Sequence, residues 1–197
     1  MRKFIPVMAL ALGLSACVTP VGPVEVTRFH AADAVQELGK GTIAVMPGAD
    51  ENVESLEYRT YAAAVMRELE AQGYTSPVAG ESSEYNARIS LDRFARDSQG
   101  RRSPVSVGVG GSTGSYGSGI GVGIGINLGG GSKPLIISEL FVAITRDGET
   151  ANLWEGRAIS EARKGSPAAE TSLSAAKLAT SLFTGFPGES GETVEVE

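Results

Sequence analysis

Few residues in this chain are equipped for chemistry, and most of them stand alone. There is one cysteine, Cys17, and one histidine, His30. A single thiol excludes an internal disulfide, and a single imidazole excludes His-rich metal sites and His–His acid–base pairs. His30 follows Phe29, far from any nucleophile, and no G-x-S-x-G stretch occurs, so a surface or capping role is expected rather than a triad. The pairs Glu51/Glu54 and Glu155/Glu161 have the chemistry for general acid–base work. Glu155 and Glu161, however, sit three alternations apart on one strand face, too far to cooperate. No loop signature for a hard cation accompanies them. No catalytic residue, metal ligand or cofactor is therefore assigned, and scattered surface acids are the expectation.

Cys17 is different, because its surroundings fit one reaction. Arg2 and Lys3 form a short positive segment, and Phe4 to Leu14 is apolar, interrupted only by small or turn residues such as Pro6 and Gly13. That run is too short for a membrane-spanning helix of about 20 residues and fits the apolar region of a secretory signal. It ends in Leu14-Ser15-Ala16-Cys17, which resembles the lipobox of bacterial lipoproteins. The resemblance implies cleavage between Ala16 and Cys17, a diacylglyceryl group on the thiol and a fatty acid such as palmitate on the new amino group. The mature chain would begin at Cys17 and, without Arg2 and Lys3, its formal charge would move from −6 to −8. Three acyl chains exceed the two signals that stable anchoring requires. Val18 stands where enteric bacteria place an Asp to retain lipoproteins at the inner membrane. The outer membrane, with the body facing the periplasm, is the expected destination.

The second unusual segment runs from Ser103 to Ser132, 30 residues without a charge, 12 of them glycine. Val105, Val107 and Val109 alternate with Ser106 and Gly108; Ile120, Val122, Ile124, Ile126 and Leu128 alternate with glycines and Asn127. Period two with branched residues on one face predicts a hairpin with an apolar face and a bare face. Phosphate cradling fails on spacing, since neither G-x-G-x-x-G nor G-x-x-x-x-G-K-[ST] is present. The apolar face could pack on the domain's own core, pair with another chain, or enter a bilayer; the last lacks the usual aromatic girdles, since only Tyr116 is aromatic. Arg101, Arg102 and Lys133-Pro134 flank the segment as charged gatekeepers.

The rest of the chain supplies a scaffold. Residues 18–23 read as a tether, completing a 17–23 linker after the 1–16 signal and before a single domain over 24–197 that carries the 103–132 insert. Val24 to Thr27 begins a strand, and Thr42 to Pro47 is a second. Ser55 caps a helix to about Gln72 with an apolar stripe of Tyr58, Tyr61, Ala62, Val65 and Leu69, closed by Gly73. Ala87, Ile89 and Leu91 alternate as a half-buried strand. Leu135 to Arg146 and Leu153 to Arg163 form a hairpin, with Ile136, Leu140, Val142 and Ile144 on one face and Trp154, Gly156 and Ala158 on another. Ser166 and Pro167 start a second helix with a stripe of Ala175, Ala176, Ala179, Leu182, Phe183 and Phe186. Val194 and Val196 suggest a last edge strand. The expected class is α+β, a mostly antiparallel sheet with two helices on one face and a glycine-rich hairpin.

Composition agrees with this frame. Of 197 residues, 42% are hydrophobic and 20% charged, enough for a packed core. The negative net charge argues against a nucleic-acid partner. The stretches 26–30, 41–43, 56–61, 101–105, 153–158 and 185–191 are VTRFH, GTI, LEYRTY, RRSPV, LWEGRA and GFPGESG. With them the chain resembles a group of alphaproteobacterial lipoproteins, the domain-of-unknown-function family numbered 4136. That resemblance implies a periplasm-facing α+β lipoprotein with a glycine-rich insert, and supplies no activity or catalytic residue. The expected function is a lipid-anchored, non-enzymatic binding or assembly module. Its partners would be membrane lipid through acylated Cys17 and either another envelope protein or a second copy, not nucleic acid or nucleotide. Two alternatives are an oligomeric element that inserts the hairpin into the bilayer, and an envelope enzyme with a carboxylate or serine site.

Overall fold

Backbone register, more than any single residue, sets the architecture. The computed structural model describes residues 22–105 and 133–197. The signal segment with Ala16 and Cys17 lies outside the described residues, as do hairpin positions Val107, Val109, Ile120, Val122, Ile124, Ile126 and Leu128. The described chain runs β1 (Val24–His30), β2 (Ile43–Pro47), α1 (Leu56–Ala71), β3 (Tyr85–Arg96), β4 (Arg102–Pro104), β5 (Leu135–Arg146), β6 (Asn152–Arg163), α2 (Thr171–Phe183) and β7 (Thr193–Val196). The strands form one sheet in the order β2-β3-β5-β6-β1-β7, with β4 beside the second half of β3. All pairings are antiparallel except β2 with β3, which α1 connects as a crossover. The class is α+β.

Both helices cover one face of this sheet. Val24 and Val26, Ile43, Ala87 and Ile89, Leu140, Val142 and Ile144, and Trp154 and Ala158 point into one core with Tyr61, Val65 and Leu69 of α1 and Leu178 and Leu182 of α2. Alternation produces this on every strand, since successive side chains face opposite ways. Trp154 lies flat across Gly156: a Cβ there would meet the indole at 2.4 Å, so only glycine admits the ring. The indole stacks on Phe183 at 5.5 Å and donates from Nε1 to Pro187 O at 2.9 Å.

Helix α1 starts as its sequence requires. The Ser55 hydroxyl accepts from the Tyr58 amide at 3.0 Å, and Gly73 leaves with φ +108°. Its buried stripe takes Ala64 in place of Ala62, which is half-buried. The second helix departs further. Ser166 and Pro167 open a single 3-10 turn, Pro167–Ala169, and α2 begins only at Thr171 after Glu170. The Ser166 hydroxyl caps nothing. Leu178 takes the buried place expected of Ala176, because a stripe at 175, 178, 179 and 182 follows helical spacing more closely. Strand β5 is buried beyond one face: Ile137, Ala143 and Thr145 are covered as well, as befits its central place between β3 and β6.

Candidate functional site

Of the candidate acid–base carboxylates, Glu51, Glu155 and Glu161 are engaged in structure, and Glu54 is exposed. Glu51 Oε1 accepts the Leu91 amide of β3 at 2.6 Å. Glu155 accepts from Asn152 at 2.7 Å, and Glu161 pairs with Arg96. His30 stands at the end of β1 with Nδ1 3.2 Å from Ala31 O, while Ser190 bridges its backbone N–H and C=O. Glu155 and Glu161 lie near opposite ends of β6, as their spacing requires. Among the described residues no group of three or more His, Cys, Asp or Glu could hold a metal ion, and no helix is long and apolar enough to cross a membrane.

Two arginines with largely covered side chains, which the strand pattern does not single out, hold the layers together. Arg28 of β1 donates to Leu182 O at 2.9 Å, Ser181 O at 3.0 Å and Thr184 O at 2.8 Å, satisfying the carboxyl end of α2. Burial lowers its pKa from the usual arginine value, partly opposed by Glu192. Gly188 must be glycine in this setting, since a Cβ would sit 2.8 Å from the Arg28 side chain and φ is +82°. Arg93 of β3 donates to Glu57 at 2.7 Å, Thr171 at 2.8 Å, Ala169 O at 2.6 Å and Ser138 at 3.2 Å, tying β3 and β5 to the beginnings of both helices. The 26–30, 153–158 and 185–191 stretches thus meet around Arg28 and Trp154 as structural residues.

What remains open is the other face of the sheet and one of its ends. On the helix-free face Phe29 is 48% exposed, and with Thr27, Phe141, Glu155 and Arg157 it lines a shallow depression of about 160 Å³. At the end where β3 and β6 finish and β5 begins, Arg102, Arg96, Leu135 and Arg163 fall in one register row across β4, β3, β5 and β6. Cross-strand partners share a face, so the three arginines lie together on the helix-free side. Arg102 sits 4.3 Å above the ring of Phe94. Lys133 precedes this row and Lys164 follows it, both exposed. A depression of about 230 Å³ opens among Arg96, Asp97, Ser98, Lys133, Leu135 and Arg163. Arg96 is paired with Glu161 and Arg101 with Asp97, whose carboxyl the Arg101 hydrogen bond holds below its ordinary pKa. None of the ion pairs among the described residues uses Lys133, Arg163 or Lys164.

Two chain segments converge on the same end. Strand β1 starts there, with Glu25 opposite Ile159, so the tether reaches the sheet beside the last turn of β6; Gly22 O accepts from Lys177 at 2.5 Å. The glycine-rich segment is rooted at Val105, whose N–H donates to Arg93 O at 3.4 Å, and at Lys133. Val105 is the one position of the predicted hairpin within the described residues, and it is half-buried. The basic flanks Arg101, Arg102 and Lys133 are visible in sequence; Arg96 and Arg163 join them only through strand register.

No family model matches the chain. An uncharacterized protein of Zymomonas mobilis is 28% identical over 216 aligned positions, covering 89% of this chain and 80% of the relative. Among solved structures, the PelC dodecamer from Paraburkholderia phytofirmans aligns with a TM-score of 0.45 at 6% identity, covering 82% of this chain and 95% of that one. A PDZ domain protein from Parabacteroides distasonis aligns with a TM-score of 0.46 at 13% identity, covering 89% of this chain and 39% of the other.

Proposed function

We propose that this chain is a lipid-anchored cell-envelope protein, held at the periplasmic face of the outer membrane through acylated Cys17, whose body binds or assembles rather than catalyses. The observation that carries the anchor is Leu14-Ser15-Ala16-Cys17 behind a charged and apolar leader, seven residues from the start of β1. Seven extended residues reach about 25 Å, which keeps the body beside the headgroups. The binding role is supported by the use of His30, Glu51, Glu155 and Glu161 in structural bonds, and by a helix-free face that presents Phe29 and Phe141 beside Arg157 and Glu155. Aromatic groups with a charged rim suit protein contact.

Fractionation of cells carrying Cys17→Ser tests the anchor: after a high-salt wash the variant is expected in the soluble fraction, and retention with membranes would overturn the reading. Crosslinking in intact envelopes tests the binding role. A discrete larger species is expected, reduced by Phe29→Ser; monomer alone in both proteins would remove it.

A further inference from the structure

The basic end of the sheet has a specific position relative to the tether, and that position points to a second membrane contact. Arg96, Arg101, Arg102, Lys133, Arg163 and Lys164 gather where β3 and β6 finish and β5 begins, against Asp97 and Glu161. The whole chain is acidic, with 17 Lys and Arg against 23 Asp and Glu. At the far end of the sheet Glu84, Asp147 and Glu149 sit around the β5–β6 turn, and Glu37 and Glu149 both pair with Arg146 there. The β4–β3–β5–β6 side of the end where β3 and β6 finish is therefore basic, while the β5–β6 turn at the opposite end is flanked by acids. The cationic pole lies one strand away from the tether, since β6 is the direct neighbour of β1.

We propose that this pole is a docking surface for an anionic phospholipid bilayer, which fixes the orientation of the body once the tether has brought it to the membrane. The proposal rests on the lipid-anchored reading only in supplying that proximity. An acidic protein is repelled by an anionic surface everywhere except through such a patch, so the patch selects one approach. Exposed Arg163 stands in the row, with Lys164 next to it and Lys133 two residues before Leu135, so their fields add over a Debye length of about 8 Å. Glu25, Glu195 and Glu197 make the β1–β7 corner of the same end acidic. The contact is consequently lateral, through β4, β3, β5 and β6, and the body leans toward that side with β7 raised. The helix-free face and the roots of the uncharged 103–132 segment are on the leaning side.

The test uses the chain from Cys17 onward with Cys17→Ser, so that no acyl group contributes, and vesicles of phosphatidylcholine with or without phosphatidylglycerol. Co-sedimentation is expected only with phosphatidylglycerol and is expected to fade as salt rises. The triple variant Lys133→Gln, Arg163→Gln, Lys164→Gln should weaken binding roughly 100-fold, given the attraction each near-surface cation supplies. The control Lys40→Gln, Arg67→Gln, Arg88→Gln makes the same change in net charge away from that end and should leave binding within a few-fold. Equal loss in both triples, or equal binding to both vesicles, would overturn the proposal. Displacement by inorganic phosphate beyond that of chloride at equal ionic strength would instead indicate a small-anion site, and would also overturn it. Vesicle binding with a soluble Cys17→Ser fraction in cells supports both readings. Loss of vesicle binding with intact fractionation of the acylated chain removes this one alone.

Discussion

Arg28 shows how a charge inside a strand is turned to structural use. It occupies a core-facing position on β1, between Val26 and His30, and is only 7% exposed. Its guanidinium brings donors across the layer to the last carbonyls of α2, through three bonds to Ser181, Leu182 and Thr184. Arg28→Met keeps much of the stem's packing and removes all three donors. The expected loss is about 3 kcal/mol, read as a lower urea midpoint at unchanged m-value. Tyr74 offers a pH-dependent counterpart. Its hydroxyl is buried against the Gly39 backbone, and desolvation, only partly offset by that backbone group, raises its pKa to about 12. The unfolded chain releases the same proton near pH 10. The stability this residue contributes is therefore whole below about pH 10 and declines as pH rises to about 12, because the unfolded state ionises first. Relative to Tyr74→Phe, the wild-type protein should lose stability steadily across that interval and show a constant difference below it. Urea titrations at several pH values measure this; a flat difference up to pH 12 would contradict the burial argument.

At the scale of elements, β3 explains both what the sequence reveals and what it hides. Its first residues are covered by β2 and its last by β4, leaving Ser90 to Arg93 as an edge between them. That edge is closed by loop groups: Gly48 N–H donates to Ile89 O at 2.8 Å, Glu51 accepts from Leu91 N–H, and Val105 N–H reaches Arg93 O. Glu51→Ala should expose the Leu91 amide, speed its hydrogen exchange and lower stability by about 1 kcal/mol, while Glu51→Gln keeps an acceptor and should restore protection. Amide exchange followed by NMR distinguishes the two. In sequence, Glu51 is indistinguishable from any surface acid, since its partner lies 40 residues away. Strands β5 and β6 and helix α1 are legible because alternation, turn residues and the Ser55 cap are local signals. The edge strand β7 is legible from Val194 and Val196 alone. The parallel pairing of β2 with β3 is not, because register between distant segments leaves no local trace. Nor are the roles of Arg28 and Arg93, whose partners belong to helices 36 to 156 residues away. The same blindness divides the candidate site: gatekeepers 101, 102 and 133 can be read beside the glycines, whereas Arg96 and Arg163 become their neighbours only when the hairpin closes.

At the scale of the whole molecule, the described residues before and after the 106–132 segment share one sheet and one core. Among the described residues, the core cluster and the β3–β5 ladder join the parts of the chain on either side of the glycine-rich stretch, and the β5–β6 ladder lies wholly after it. Pro104 and Ile137 flank Phe94 on opposite sides of β3, so the chain ends to be joined are about 10 Å apart across the sheet. Leu135 is two residues nearer the end of the sheet, and a path around β3 from Val105 to Lys133 has to cover roughly 20 Å. Six to eight flexible residues span that distance. Replacing 106–132 by a linker of that length shortens the loop several-fold and lowers its closure cost by about 1 kcal/mol. The shortened protein should therefore melt at or slightly above the temperature of the parent, with the same Trp154 fluorescence from its packed stack. On the proposed anchor at Cys17, which lies outside the excised stretch, the shortened chain should fractionate with membranes in cells. Crosslinked species that depend on Phe29 should survive, and any that vanish belong to the excised residues. Unfolding of the shortened chain would show that the segment completes the core, and the division between body and insert would have to be given up.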